Sequence, residues 1–325
     1  MSRIFDALRR SESERSGSDL DLLPKGPDLL RRAEHLAASR WEDAPFDKET
    51  EAKIHVEGDE HAAQETARTA VAAAEPPLDH GGLTEAERVK ALSQFESLSV
   101  APPSLSRMVC LTDRENPTAE ALRLLAVRLR DLRRVRPLKK LLITSTIPQE
   151  GKSTIAANLA CALAQATDER ILLVDGDLRR PSLSRIFGMS ATRGISEWLH
   201  DDDAALPDIF RLETAGIWIL PAGNPRGNPL EALQSQRLPV LLEQQAAYFD
   251  WIIIDSPPVM PLADTSVWMR LSDGVLLVTR QGTTEKKQLQ KGLDAIDSQK
   301  LLGALLNGTM ASAYSGYYYR SSPSS

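Results

Sequence analysis

Cysteine, histidine and the aromatic residues are scarce in this chain of 325 residues. Two cysteines, Cys110 and Cys161, are too few for a disulfide framework. Five scattered histidines show no metal-ligand spacing. No apolar run approaches the roughly 20 residues that cross a bilayer. The opening MSRIFDALRRSESERSG lacks the continuous apolar stretch of an export signal. These absences predict a cytoplasmic chain, and no nucleic-acid partner is expected. Tyrosine is rare too, yet four of its five occurrences, Tyr314, Tyr317, Tyr318 and Tyr319, crowd the last dozen residues among glycine and serine.

The formal net charge of −6 hides an asymmetry. Residues 1–105 hold 13 Lys and Arg against 21 Asp and Glu, and only four aromatics, Phe5, Trp41, Phe46 and Phe95. Such a stretch buries too little apolar surface to offset the entropy of ordering it. Residues 1–105 therefore read as an acidic arm of isolated short helices and linkers. The first of these, RIFDALRR, groups Ile4, Phe5 and Leu8 on one helical face.

From Pro117 the character changes. PTAEALRLLAVRLRDLRR is a helix opened by proline in its first turn, with Leu122, Leu125, Leu129 and Leu132 as its apolar stripe. Apolar runs then alternate with helical patterns: LLITS (141–145), ILLVD (171–175), IWIL (217–220), WIIID (251–255), GVLLVT (274–279) and LLGALLN (301–307). Continuous apolar strands separated by helices mean a mainly parallel sheet covered on both faces. The expectation is a doubly wound α/β domain over residues 106–313, followed by a tyrosine-rich tail, 314–325.

The first of these strands runs into TSTIPQEGKST, where a phosphate loop belongs. There backbone N–H groups and a helix N-terminus wrap phosphates. Lys152 supplies a point charge near the β and γ oxygens, and Ser153 a hydroxyl for Mg²⁺. Pro148, Gln149, Glu150, Gly151 and Thr154 complete the candidate loop. The first glycine of the usual P-loop pattern is replaced by Thr146. Asp175 and Asp177 follow a buried strand in LLVDGDLRRP, and Asp255 ends WIIIDSPP, at the sheet edge where such folds bind ligands. Three carboxylates facing a phosphate loop suit Mg²⁺ binding and deprotonation of an acceptor.

Together these residues resemble the bacterial tyrosine kinases of capsule and exopolysaccharide synthesis, from about Pro117 to the C-terminus. ILLVDGDLRRP looks like that family's second Walker motif and FDWIIIDSPPV like its Walker B; NPLEAL, LLVTRQGTT and the opening MSRIFDALRRSE are also similar. The resemblance implies a ParA/MinD-like P-loop fold, ATP and Mg²⁺, and autophosphorylation of the terminal tyrosines. It further implies a membrane polysaccharide co-polymerase as activating partner, membrane association through it, a phosphotyrosine phosphatase and a homo-oligomer. In this reading Asp175 accepts the tyrosine proton, Asp177, Asp255 and Ser153 hold Mg²⁺, and Lys152 steadies the phosphates. Arg280 and Asn307 are further candidates for nucleotide contact. Two positions depart from the pattern. Gln149 stands where the family often has glycine, and Ala126 replaces the last arginine of an E-x-x-R-x-x-R ring motif begun by Glu120 and Arg123, for which Arg128 or Arg130 are the candidate substitutes.

The last strand should end on the phosphate-loop edge, and ten to twelve extended residues reach roughly 33–43 Å, enough to enter this site or a neighbour's. Four phosphates would add about −6 to −8 charges, predicting release of the modified tail from a carboxylate-lined site. The alternatives are a ParA/MinD-like ATPase without kinase activity, whose extra loop lysine is here Ile147, and a non-catalytic nucleotide-binding regulator of a co-polymerase.

Overall fold

The computed structural model describes residues 84–309 except 191, 202–205 and 261–262. The helical reading at 3–10, and Tyr314, Tyr317, Tyr318 and Tyr319, lie outside the described residues.

Eight strands form one sheet: β1 (Glu96–Leu98), β2 (Lys140–Ser145), β3 (Ile171–Asp175), β4 (Phe210–Leu212), β5 (Ile217–Leu220), β6 (Trp251–Asp255), β7 (Gly274–Arg280) and β8 (Leu301–Asn307). Their order is β1-β4-β5-β3-β6-β2-β7-β8. Every pairing is parallel except β4 with β5. Among the described residues, six helices have eight residues or more: α1 (Glu85–Leu92), α2 (Pro117–Arg133), α3 (Lys152–Ala166), α4 (Arg237–Tyr248), α5 (Asp264–Leu271) and α6 (Lys286–Asp294).

The apolar runs explain the layering. Alternate residues of a strand face opposite sides, so a strand covered on both faces must be apolar throughout. In β2, β3 and β6, Leu141, Ile143, Ile171, Leu173, Trp251 and Ile253 join one buried cluster with α2 and α3. Leu142, Leu172, Val174, Ile252 and Ile254 join the opposite cluster with Leu238, Leu241 and Trp268 of α4 and α5. α2 turns Ala119, Leu122, Ala126 and Leu129 fully inward, with Leu125 and Leu132 packed at the margin. Asn116 caps it by accepting the Thr118 N–H at 2.9 Å.

Among the described residues, packed structure reaches back into the expected arm, to α1 and β1. α1 is closed by a capping box between Thr84 and Glu87 and buries Leu92 with the α4 face of the sheet. β1 then pairs with β4, and Val100, Met108 and Cys110 enter the α3 side of the core. Acidity averaged over the first third conceals some twenty residues that do have an apolar face to bury.

Because β3, β6, β2, β7 and β8 run parallel, Ser145, Asp175, Asp255, Arg280 and Asn307 all end on one edge of the sheet. That edge carries the site.

Candidate active site

The loop between β2 and α3 is held from three directions. Glu150 is fully buried and turns inward, accepting the Ile147 N–H at 2.8 Å and bonding the Thr284 hydroxyl. Asn307 donates its amide to the Glu150 carbonyl at 2.8 Å, and Arg280 donates to the Gln149 carbonyl at 3.3 Å. These two residues, read as nucleotide contacts, brace the loop backbone. Gly151 stands at φ +91°, and a Cβ there would meet the Asn307 amide nitrogen at 2.2 Å. Gln149 takes a left-handed φ of +67°, which glycine adopts at lower cost, so the departure at this position is a residue holding a glycine-like conformation.

α3 then starts at Lys152, and its first N–H groups open toward the cleft at the strand ends. Lys152 is only 8% exposed, with Nζ 3.1 Å from Asp177 Oδ2, 3.3 Å from Asp255 Oδ1 and 3.1 Å from Ser153 Oγ. Burial works against the ammonium charge, but Asp255, Asp177 and Asp175 outweigh it and raise its pKa. The lysine thus sits among the carboxylates.

Asp175 and Asp255 are direct partners across β3 and β6, and both are fully buried. Asp175 Oδ2 accepts the N–H groups of Ser182 at 3.1 Å and Leu183 at 3.0 Å. Burial, then the Asp255 charge, push Asp175 up to about 7; burial raises Asp255 as well, against the pull of Lys152. Asp175 Oδ1 and Asp255 Oδ2 have no hydrogen-bond partner. Two orphaned anionic oxygens in the interior call for a cation or a bound proton. Among the described residues no group of three or more His, Cys, Asp or Glu is placed to hold a metal by itself. Mg²⁺ takes one or two carboxylates and completes its shell with water and phosphate, so these residues fit a magnesium that arrives with a nucleotide. Asp177, Asp255 and the Ser153 hydroxyl would hold it, and the bound ion would neutralise phosphate charge.

Above them lies a cleft of about 860 Å³ bordered by Gly151, Lys152, Ser153, Thr154 and Asp177, with Pro148 and Gln149 at its rim. Asp177 faces it, while Asp175 and Asp255 lie beneath. Gly176 is forced by close packing: a Cβ would meet Trp268 at 2.8 Å and the Asp255 carbonyl at 2.9 Å. Trp268 donates to the Gly176 carbonyl at 2.9 Å, fixing the turn between the two carboxylates.

Several contributors were not read from the sequence. Thr284, which holds Glu150, and Asp264, which pairs with Arg179, are distant in the chain from those partners, and nothing local marks them. Arg179, Arg180 and Arg185 line the cleft, and the basic run LRRPSLSR after Asp177 was the available signal. A cleft so lined is not the purely acidic surface that release of a modified tail presupposed. Arg130, one candidate to complete the ring motif, is turned inward onto Glu169 and the Leu163 carbonyl, both at 2.7 Å; Arg128 is exposed.

Residues 141–308, more than half of the chain, match the CobQ/CobB/MinD/ParA nucleotide binding domain family. Tyrosine-protein kinase YwqD of Bacillus subtilis is 36% identical over 186 residues, 57% of this chain and 78% of that protein. The succinoglycan biosynthesis transport protein ExoP of Rhizobium meliloti is 33% identical over 172 residues, 51% of this chain but only 22% of its own length. Among solved structures, the kinase domain of the Escherichia coli tyrosine kinase ETK superposes with a TM-score of 0.60 at 25% identity, covering 71% of this chain and 97% of that one.

Proposed function

This chain belongs to the bacterial tyrosine-kinase branch of the CobQ/CobB/MinD/ParA nucleotide-binding family, and from that premise we propose that it transfers the γ-phosphoryl group of ATP to tyrosine hydroxyls, those of its own C-terminal cluster first. The observation that carries this reading is the meeting of Lys152, Asp175, Asp177 and Asp255 at the strand-end edge from which the tail departs after Asn307.

The chain's own groups suggest the order of events. Phosphate oxygens compete with Asp177 and Asp255 for the Lys152 ammonium, and its departure uncovers the carboxylates beneath. Asp175, raised to about 7 and with one oxygen unpartnered, then accepts the tyrosine proton. A tyrosine hydroxyl, with a pKa near 10, is almost wholly protonated at neutral pH and needs such an acceptor. Asp177, Asp255 and Ser153 hold Mg²⁺. The α3 N-terminus and the loop N–H groups, held by Glu150, Asn307 and Arg280, position the phosphates. Positioning and charge stabilisation supply most of the acceleration in such transfers.

The name of ExoP supports a place in polysaccharide synthesis and export. The chain spans about a fifth of that relative, so a membrane polysaccharide co-polymerase is the partner we propose to bring it to the membrane. No helix among the described residues is long and apolar enough to cross a membrane. A homo-oligomer and a phosphotyrosine phosphatase acting on the tail belong to the same proposal.

The test is phosphotyrosine formation by the purified full chain with Mg-ATP, beside Lys152→Met and a truncation before Tyr314. Signal is expected only in the intact protein. ATP hydrolysis without phosphotyrosine, or nucleotide binding alone, would overturn the reading. Because relatives of this kind are expected to need an activator, the partner's cytoplasmic segment is added in a parallel reaction.

A further inference from the structure

Beyond Asp177 the cleft continues over a surface that the transfer described above does not use. Arg179 is neutralised there by a two-point pair with buried Asp264, at 2.6 and 3.0 Å. Arg180 and Arg185 are exposed, and no carboxylate among the described residues pairs with either. The segment that carries them is tied down beside the carboxylates by its backbone. The Arg180 N–H donates to Asp177 Oδ1 at 3.0 Å, and the N–H groups of Ser182 and Leu183 donate to Asp175. Two unpaired guanidinium groups therefore start within a few bonds of the acidic centre and border the same cleft as Lys152. Alongside them lies apolar surface from Ile186, Met260 and Leu105, the last 91% exposed on the helical turn Ser104–Ser106.

Resting on the kinase reading above, we propose that Arg180 and Arg185 form a phosphotyrosine subsite, which holds a modified residue of the tail while the next tyrosine occupies the transfer site. Guanidinium forks match the oxygens of a phosphate monoester bidentately. The apolar surface of Leu105, Ile186 and Met260 suits the ring that carries the phosphate. The occupant is the tail because it leaves the sheet on this edge and ends in closely spaced tyrosines. In an extended segment, residues two apart share a side and lie about 7 Å from each other. Tyr317 and Tyr319 have that spacing, so one can be held while the other reacts. The first phosphate thereby speeds the second and favours retention of the tail.

Intact-mass measurement of the full chain during reaction with Mg-ATP tests this, comparing wild type with Arg180→Ala/Arg185→Ala and Arg180→Lys/Arg185→Lys. Wild type should accumulate multiply phosphorylated chains while unmodified chain remains. The alanine pair should build up the singly modified form, its second addition slower by about tenfold, as loss of charged hydrogen bonds implies. The lysine pair should fall between. A second arm measures binding of two synthetic peptides of residues 312–325, one phosphorylated at Tyr319 and one unmodified. Wild type should prefer the phosphopeptide, and the alanine pair should bind both alike. A fluorescent ATP analogue should bind all three proteins equally, which also reports on folding. Equal peptide affinities in wild type, or an unchanged distribution of phosphates in the alanine pair, would overturn the subsite. So would a parallel loss of ATP affinity, which would assign the arginines to the nucleotide. Absence of any phosphotyrosine in wild type would defeat the kinase reading, while the peptide arm would still decide the subsite.

Discussion

Asp175 and Asp255 face each other as direct neighbours at the ends of β3 and β6, fully buried, and each keeps one carboxylate oxygen without a partner. Burial raises the proton affinity of both, the Asp255 charge adds to it at Asp175, and Lys152 offsets only part of that. The site is thus charged ahead of any substrate, and its stability should respond to pH, to cations and to the lysine.

The pH response has a definite sign. The folded-state pKa of Asp175 is raised to about 7 from an ordinary value of 3.8, so the native protein holds a proton that the unfolded chain releases between those values. That contribution is complete below pH 4 and is lost as pH rises through about 7. In metal-free buffer, Asp175→Asn should therefore raise the thermal midpoint more at pH 8 than at pH 5. Calorimetry at the two pH values checks this, and an equal change at both would count against the raised pKa.

Lys152→Met should abolish phosphoryl transfer and also destabilise the protein, because it leaves Asp177 and Asp255 without their cation. Removing one partner of a buried pair costs about 3–5 kcal/mol. Denaturant unfolding in the presence of a chelator should show a loss of that order, larger at pH 8 than at pH 5, where a proton can replace the ammonium.

Gly151→Ala introduces a methyl group at φ +91° and at 2.2 Å from the Asn307 amide. We expect a loss of stability greater than about 1 kcal/mol and weaker nucleotide binding. Adding Asn307→Ala should relieve the clash and leave the backbone strain, so the double variant should recover only part of the loss. Unfolding curves and nucleotide titration of the two single variants and the double one measure that coupling.

Gln149→Gly tests the loop from the other direction. A non-glycine residue in the left-handed region costs roughly 1–2 kcal/mol, and glycine gives back about 0.5–1 kcal/mol of that in unfolded-state entropy. A gain of up to about 1 kcal/mol is expected, with nucleotide affinity retained. A destabilised variant would show that the Gln149 side chain has a role beyond its backbone.

Much of this fold is written in patterns that survive without tertiary context. β3, β5 and β6 coincide with their apolar runs because strands buried on both faces admit little else, and β8, a half-buried edge strand, coincides with its run as well. β1 (ESL) and β4 (FRL) are three residues each and partly exposed, and no local pattern separates such strands from loops. In the site, Lys152, Asp175, Asp177 and Asp255 were legible because each sits at a strand or helix end in a recognisable order. The inward turn of Glu150 onto Thr284 and the pairing of Arg179 with Asp264 were not, since 134 and 85 residues separate those partners. The positive φ of Gln149 was invisible for the same reason: bonds from Arg280 and Asn307 to the loop hold it, not the residue's own preference.

The central claim is that a magnesium nucleotide bound at Lys152 and the three carboxylates modifies the tyrosines beyond Asn307. Its most direct test is phosphosite mapping by mass spectrometry of the full chain after incubation with Mg-ATP and the partner's cytoplasmic segment. Phosphate is expected on Tyr314, Tyr317, Tyr318 or Tyr319 in wild type, and on none of them in Lys152→Met. Active protein whose four terminal tyrosines stay unmodified would contradict it.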